Sequence, residues 1–250
     1  MKNILTSTLA MFLAAAACFT SNAETLTLTP GSISAGIAED AAPAELIIKG
    51  EMDIRDFDYI RDNFWRTLRT LDLSEARIAA YEGEPTLTGV SKSEADVLPD
   101  GALMLGSLTE VTLPATLKAI GDGALASTAI KEIGIPATVE KIGTSAFANC
   151  NSLESVVLPA AVKALGANAF ADCGALKSAD ISAAALQEVP AGAFARCAAL
   201  ADVTLPSVAE IGASAFAGCK ALTETTKNAL TTILNDTKNQ LSDMEQTAQK

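Results

Sequence analysis

Apolar and polar positions repeat every 22 to 24 residues between residues 98 and 222. The segments VEKIGTSAFANCNSLESVVLP and VKALGANAFADCGALKSADIS show the period directly. Two of its columns hold bulky apolar residues after an alanine (Leu103, Leu125, Phe147, Phe170, Phe194 and Phe216) and cysteines (Cys150, Cys173, Cys197 and Cys219). Self-similarity at this period is typical of a solenoid, in which each coil contacts only its neighbours.

Within one coil, apolar residues at 153, 156 and 158 alternate as a short half-buried strand requires, and Pro159 ends that strand. Residues 162–166 then bend back toward the core, and we expect Gly166 to supply a turn with positive φ. The pattern predicts a leucine-rich-repeat type solenoid, with one principal parallel strand per coil and little helix.

The segment 24–97 precedes the regular coils and predicts an α/β cap. Strands are expected at 25–29, 44–48 and 65–73, and Asp53 with Asp56 predicts the start of a helix between the last two. Such a unit would cover the open edge of the first coil. Residues 79–97 break the period and predict an excursion, and Trp65 is expected to be buried in the cap.

Residues 223–250 contain no glycine or proline and predict a helix. Five residues, Leu230, Leu234, Leu241, Met244 and Ala248, fit a heptad seam that Thr237 interrupts. The segment is expected to be a capping or tail helix, and the alternative is self-association through a short coiled coil.

Residues 1–23 predict an export signal. Lys2 gives a positive start, residues 4–17 are apolar, and Ser21-Asn22-Ala23 is a small-x-small cleavage site. In the alternative, Cys18 is a lipidation site and the only link to a membrane. Both versions predict an exported protein, at the cell surface or secreted, with the periplasm as the other destination.

Composition excludes several function classes. The chain has 250 residues and no histidine, which removes Ser-His-Asp hydrolases, imidazole bases and histidine-ligated metals. Its net charge of −12 argues against nucleic acid as a partner, because phosphate binding needs clustered positive charge. No catalytic constellation is found, so we expect neither an enzyme nor a cofactor.

Three motifs are better explained by structure than by chemistry. The glycines of 121–126 match a dinucleotide fingerprint, but they fall in repeat columns and no βαβ unit follows. The four in-phase cysteines, stacked about 4.8 Å apart, predict buried reduced thiols rather than disulfides or zinc. Asp53, Asp56 and Asp58 are expected to serve the helix start rather than a calcium or glycosidase site.

The exposed middle positions of the predicted strands are the candidate ligand-binding residues: Thr112, Gly134, Val157, Asp180 and Thr204. A neighbouring column holds Glu110, Glu132, Ser155, Ser178 and Asp202. These residues are small and mildly acidic, and none is the Tyr, Trp or Arg that usually dominates an interface. Contacts along this face are expected to be broad or multivalent.

The repeat columns resemble the BspA-like leucine-rich repeats of bacterial surface proteins, as in IPATVEKIGTSAFANCNSL and LPAAVKALGANAFADCGAL. The segment LIIKGEMDIRDFDYIRDNFWRTLRTLDLS is similar to the cap that precedes such repeats. The resemblance spans 24–222, although Leu103 and Leu125 replace the usual Phe. It implies a non-enzymatic protein that binds a protein or glycan ligand and acts in adhesion; the alternative is an envelope scaffold with only bacterial partners.

Overall fold

The computed structural model describes residues 23–38, 41–86, 89–206 and 210–234. The predicted export signal, apart from residue 23, therefore lies outside the described residues, as do Cys18 and the seam positions Leu241, Met244 and Ala248. The described chain is a solenoid of parallel strands with an α/β unit at its N-terminal end and a helix at its C-terminal end, which confirms the predicted fold class. None of the described helices is both long and apolar enough to cross a bilayer.

The N-terminal unit contains β1 (Ala23–Leu28), α1 (Ile33–Gly36), β2 (Glu45–Met52), α2 (Ile54–Phe64) and β3 (Thr70–Ile78). The three strands are parallel, in the order β1-β2-β3. Helix α2 buries an apolar face that includes Phe57, Ile60 and Phe64. This unit, here called the cap, continues into the repeats because β3 pairs with the first principal strand.

The prediction for Trp65 is wrong. Its side chain is 48% exposed, whereas that of Phe64 is buried. Successive residues of a helix point about 100° apart, so the residue that follows a core position at the helix end turns toward solvent. Trp65 is the C-cap of α2, and the strand that was expected from residue 65 starts at Thr70.

Two antiparallel strands, β4 (Tyr81–Glu82) and β5 (Lys92–Ser93), form a hairpin where the excursion was expected. The strands that follow, listed in chain order, are β6 (Val97–Leu98), β7 (Glu110–Thr112), β8 (Ala119–Ile120), β9 (Lys141–Ile142), β10 (Ser155–Val157), β11 (Ala164–Leu165), β12 (Ser178–Asp180), β13 (Glu188–Val189), β14 (Asp202–Thr204) and β15 (Glu210–Ile211).

These strands form two lines along the solenoid. The principal strands are β7, β10, β12 and β14, of three residues each, and the second strands are the remaining six, of two residues each. All pairing within both lines is parallel. The sequence pattern indicated only a bend at the second strands, since two residues are too few to show an alternation.

Stacked side chains fill the space between the two lines. The rings of Phe147, Phe170, Phe194 and Phe216 stack nearly parallel, with centroids 5.0, 5.4 and 5.4 Å apart. Leu103 and Leu125 continue the column toward the cap and are fully buried. The core is therefore one continuous column that runs from coil to coil, and no coil closes a core of its own.

The expected positive φ at the column glycines is wrong. Gly121, Gly143, Gly166 and Gly212 are absent from the residues with positive φ. They are glycine because a Cβ would strike the coil before: one on Gly166 would overlap the carbonyl carbon of Gly143, and one on Gly121 would lie 2.7 Å from the Leu98 oxygen. Positive φ falls in the turns instead, at residues that include Ser127, Ser145, Asn149, Asn168, Asp172, Arg196 and Ser214.

A helix at 224–234 lies over the edge of β14. Thr226 Oγ1 accepts from the Val203 N–H (3.4 Å) and donates to the Ala201 carbonyl (3.3 Å), and Leu230 is buried. Leu234 is 50% exposed. The start of the predicted C-terminal helix thus covers an edge that would otherwise present unpaired peptide groups.

Candidate binding surface

The exposed side of the principal strands carries the predicted ligand-binding residues. Parallel register places Val157 beside Asp180, and Asp180 beside Thr204. Thr112 belongs to the sheet of the cap, where it lies beside Asp72. All five candidate residues are exposed, Val157 to 61%. The structure thus brings three of the five into one row and separates Thr112 from that row.

The separation occurs at residues 132–134, which form no strand in the described structure. In regular coils the Leu158 N–H donates to the Asp180 carbonyl, and the Ile181 N–H donates to the Thr204 carbonyl, both at 2.9 Å. The corresponding bond from Leu113 to Gly134 is absent among the described residues. Glycine at 134 removes the side chain that would pack in the row and weakens the strand there.

A depression with a volume of about 420 Å³ occupies this interruption. Among its lining residues are Glu110, Thr112, Lys131, Glu132 and Gly134. Two of the predicted candidates, Thr112 and Gly134, therefore face the same concave site. The period alone did not reveal this concavity, because it depends on the loss of backbone pairing at a single coil.

Charges on this side of the solenoid are mostly negative. Glu154 pairs with Lys177 of the next coil at 2.5 Å, and this hydrogen bond and the lysine charge hold the Glu154 pKa below its ordinary value. The Ser182 hydroxyl and N–H likewise lower the pKa of Asp180. These carboxylates are ionised at neutral pH, so the surface favours partners with basic or neutral groups facing it.

The second strands are also interrupted, between β11 and β13. In regular coils the column glycine donates its N–H to the coil before, as Gly166 does to Ile142 (2.8 Å). Pro190 occupies that position and has no N–H to donate. A groove of about 630 Å³ lies there, lined in part by Lys163 and Glu188. In the sequence, this groove is marked by Pro190 and by the 24-residue spacing from Phe170 to Phe194.

The cysteines lie in the core rather than at this surface. All four are free and buried, and each thiol donates to a carbonyl of the preceding coil at 3.0 to 3.2 Å: Cys150 to Leu125, Cys173 to Phe147, Cys197 to Phe170 and Cys219 to Phe194. The thiols on either side, together with burial, raise the pKa of Cys173. Burial raises the pKa of Cys219 to about 11. Cys173 and Cys219 are therefore neutral, and the hydrogen bonds of all four thiols give them a structural role.

The carboxylates of the cap serve the backbone. Asp56 accepts the N–H groups of Gly31 (2.7 Å), Asp53 (2.9 Å) and Ile33 (2.9 Å). Burial raises its pKa, although these three hydrogen bonds oppose the shift. Asp53 and Asp56 form a reciprocal capping box. Within the described residues, no group of three or more Cys, Asp or Glu side chains is arranged to hold a metal ion.

Comparison with known proteins shows which proteins share this architecture. The family model for the BspA type leucine-rich repeat region matches six copies over residues 97–237. A T. pallidum leucine-rich repeat protein of known structure is 19% identical, with a TM-score of 0.53 over 85% of this chain and 83% of that chain. A Bacteroides ovatus leucine-rich repeat protein is 21% identical, also with a TM-score of 0.53, over 79% of this chain and 47% of that chain.

No curated protein sequence matches the chain significantly. At identities below 25%, the two solved structures show a shared fold. The family model matches more than half of the chain, and the matched range contains the columns of Phe, Cys and Gly described above. The chain therefore belongs to the BspA-type leucine-rich repeat family.

Proposed function

We propose that this is an exported, non-enzymatic binding protein, which presents the exposed side of its principal strands to a protein or glycan and acts in adhesion to host or neighbouring cells. The observation that carries the proposal is the row formed by Val157, Asp180 and Thr204 beside the depression at Thr112 and Gly134. Parallel register repeats exposed side chains at about 4.8 Å, which suits a ligand that touches several coils at once.

Family membership supports this proposal, since solenoids of this kind offer an extended surface rather than a catalytic pocket. Exposed Val157 adds an apolar contact within a polar row, as at the centre of many interfaces. The buried thiols and cap carboxylates have structural partners, so they do not supply a nucleophile or an acid–base pair to this surface.

The second candidate is an envelope scaffold that binds only bacterial partners. Exposed Leu234 favours it, because an apolar residue at the end of the described helix is available for another chain. In this version the principal-strand side is not the contact, and removal of residues 223–250 is expected to abolish self-association.

Location on the cell separates the two candidates. Protease would be added to intact producer cells, with lysed cells as the control and mass spectrometry to read the mature N-terminus. Cleavage on intact cells is expected for an adhesin, whereas protection until lysis would reject direct adhesion and leave the scaffold. The same spectrum distinguishes cleavage after Ala23 from lipidation at Cys18.

The binding surface is tested with two variants of equal charge change. Val157→Arg/Thr204→Arg alters the principal-strand side, and Glu188→Arg alters the second-strand side; each variant changes the net charge by +2. Binding of the mature protein to arrays of extracellular-matrix proteins and glycans should be lost in the first variant and kept in the second. Equal binding by both variants would show that the principal strands are not the contact surface.

A further inference from the structure

The aromatic and arginine side chains that most often bind ligands are concentrated in the cap rather than in the repeats. Both tyrosines, the single tryptophan and five of the six arginines lie between residues 55 and 81. These residue types dominate binding energy at interfaces and supply flat faces for stacking. The coils offer only Arg196 of this set, so the cap is the part of the chain best equipped for a specific ligand.

Several of these residues line a cleft between helix α2 and the β4–β5 hairpin. Arg55, Tyr59 and Asn63 follow one another at intervals of four along α2 and form one wall, and Tyr81 and Pro85 of the hairpin form the other. The cleft has a volume of about 330 Å³. This is near the lower end of the roughly 300 to 1,000 Å³ usual for small-molecule sites.

The side chains of this cap cleft are held in place by the protein itself. The Arg55 guanidinium lies 4.9 Å from the centre of the Tyr81 ring and donates to the Pro30 carbonyl (3.1 Å). The Tyr81 hydroxyl donates to the Glu84 carbonyl (2.6 Å), and the Asn63 amide donates to the Tyr59 carbonyl (2.8 Å). A ligand therefore meets ordered groups and pays little to fix them.

Two of the three charged side chains that line the cleft are paired within the protein, and the third, Glu84, is exposed to solvent. Arg55 pairs with Asp53 at 2.6 Å, and Asp58, which is buried in the middle of α2, pairs with Arg61 at 2.9 Å. An ionic ligand would have to compete with these pairs, whereas a neutral ligand leaves them intact. The cleft thus favours a neutral molecule that has an apolar face and several hydroxyl groups at its edge.

We propose that the cap cleft binds a neutral carbohydrate, a mono- or disaccharide unit of a glycan. The C–H face of a sugar ring matches the tyrosine rings, and its hydroxyls match the Asn63 amide. A proline-rich peptide also docks on aromatic rings, but the Tyr81 hydroxyl already donates to the Glu84 carbonyl and is not available to a carbonyl of such a peptide. This site is separate from the principal-strand side, so either proposal can fail without the other.

The experiment measures binding of glucose, galactose, N-acetylglucosamine, cellobiose and lactose to the mature protein, by saturation-transfer NMR and calorimetry. At least one is expected to bind, and Tyr81→Ala and Asn63→Ala should each weaken that binding about tenfold or more. Tyr81→Phe keeps the ring and should retain binding. Trp65→Ala is the matched control, because Trp65 is an exposed aromatic at the end of α2 and does not line the cleft.

Circular dichroism would verify that each variant is folded. Asn63 is exposed, so Asn63→Ala should fold normally and keeps the test valid even if Tyr81→Ala disturbs the hairpin. The proposal is overturned if none of the five sugars binds at its solubility limit. It is equally overturned if Asn63→Ala leaves the affinity unchanged, or if a polyproline peptide binds the cleft and the sugars do not.

Discussion

Phe170 is the residue whose truncation tests the stacked core most directly. Its ring is fully buried and stacks between Phe147, at 5.0 Å, and Phe194, at 5.4 Å. Phe170→Ala removes the ring from the middle of the column, where coils on both sides prevent the site from simply fraying away. We expect the loss to be felt by the whole solenoid, because neighbouring coils stabilise one another.

The magnitude follows from burial and packing. Replacing a buried Phe by Ala costs about 3 to 5 kcal/mol through lost transfer energy and the cavity that remains. Phe170→Leu should cost only about 1 to 2 kcal/mol, because leucine refills most of that volume. Leu125 already occupies the equivalent position, fully buried, in the coil before Phe147. Phe216→Ala should cost less than Phe170→Ala, since Phe216 ends the stack and is only partly buried.

Urea denaturation followed by far-ultraviolet circular dichroism would give the free energy of unfolding for each variant. Val157→Ala is the control: Val157 is 61% exposed, and its truncation should change stability by about 0.5 kcal/mol or less. A loss below about 1 kcal/mol for Phe170→Ala would refute the stacked column. Equal losses for Phe170→Ala and Val157→Ala would refute the assignment of inward and outward positions.

Three further variants test backbone contact, thiol burial and the cap. Gly166→Ala should cost about 1 to 3 kcal/mol because its Cβ meets the preceding coil, whereas Gly134→Ala, with open space around it, should be neutral in the same urea assay. The folded state raises the Cys219 pKa to about 11, so this thiol should lower the free energy of unfolding by about 1 kcal/mol per pH unit between about pH 9 and 11, and Cys219→Ala should reduce the measured slope by that amount. Asp56→Ala leaves three backbone N–H groups without their acceptor and should lower the free energy of unfolding by more than about 2 kcal/mol, unlike exposed Asp62→Ala.

Much of the fold can be predicted from the sequence because equivalent positions of a repeat occupy the same environment in every coil, so the pattern is seen several times. A lone Phe in an alanine-rich segment has many explanations, but Phe147, Phe170 and Phe194 in one column have a single common one, a stacked interior. The principal strands were predictable for the same reason, since their alternation recurs in each coil. The second strands were missed because their two residues carry no alternation of their own.

The candidate surface was predictable only in part. Strand alternation identified Val157, Asp180 and Thr204 as outward-facing, and the structure places them in one row. The depression near Thr112 depends on a backbone interruption at Gly134, and a single glycine in a strand pattern does not say whether pairing survives. The cap cleft is lined by both Tyr59 and Tyr81, which are 22 positions apart, and no local pattern predicts that they lie at one site.

The sequence by itself determined the period, the inward columns, the helix start at Asp53 and the absence of imidazole chemistry, because each of these is a property of residue type and spacing. Only the tertiary structure shows that Gly166 must lack a side chain, that Trp65 is exposed and where the solenoid opens into clefts. Those features arise from the distance between one coil and the next and from the path of the hairpin over α2. Such distances are set by the packing of segments far apart in the chain, which no local pattern records.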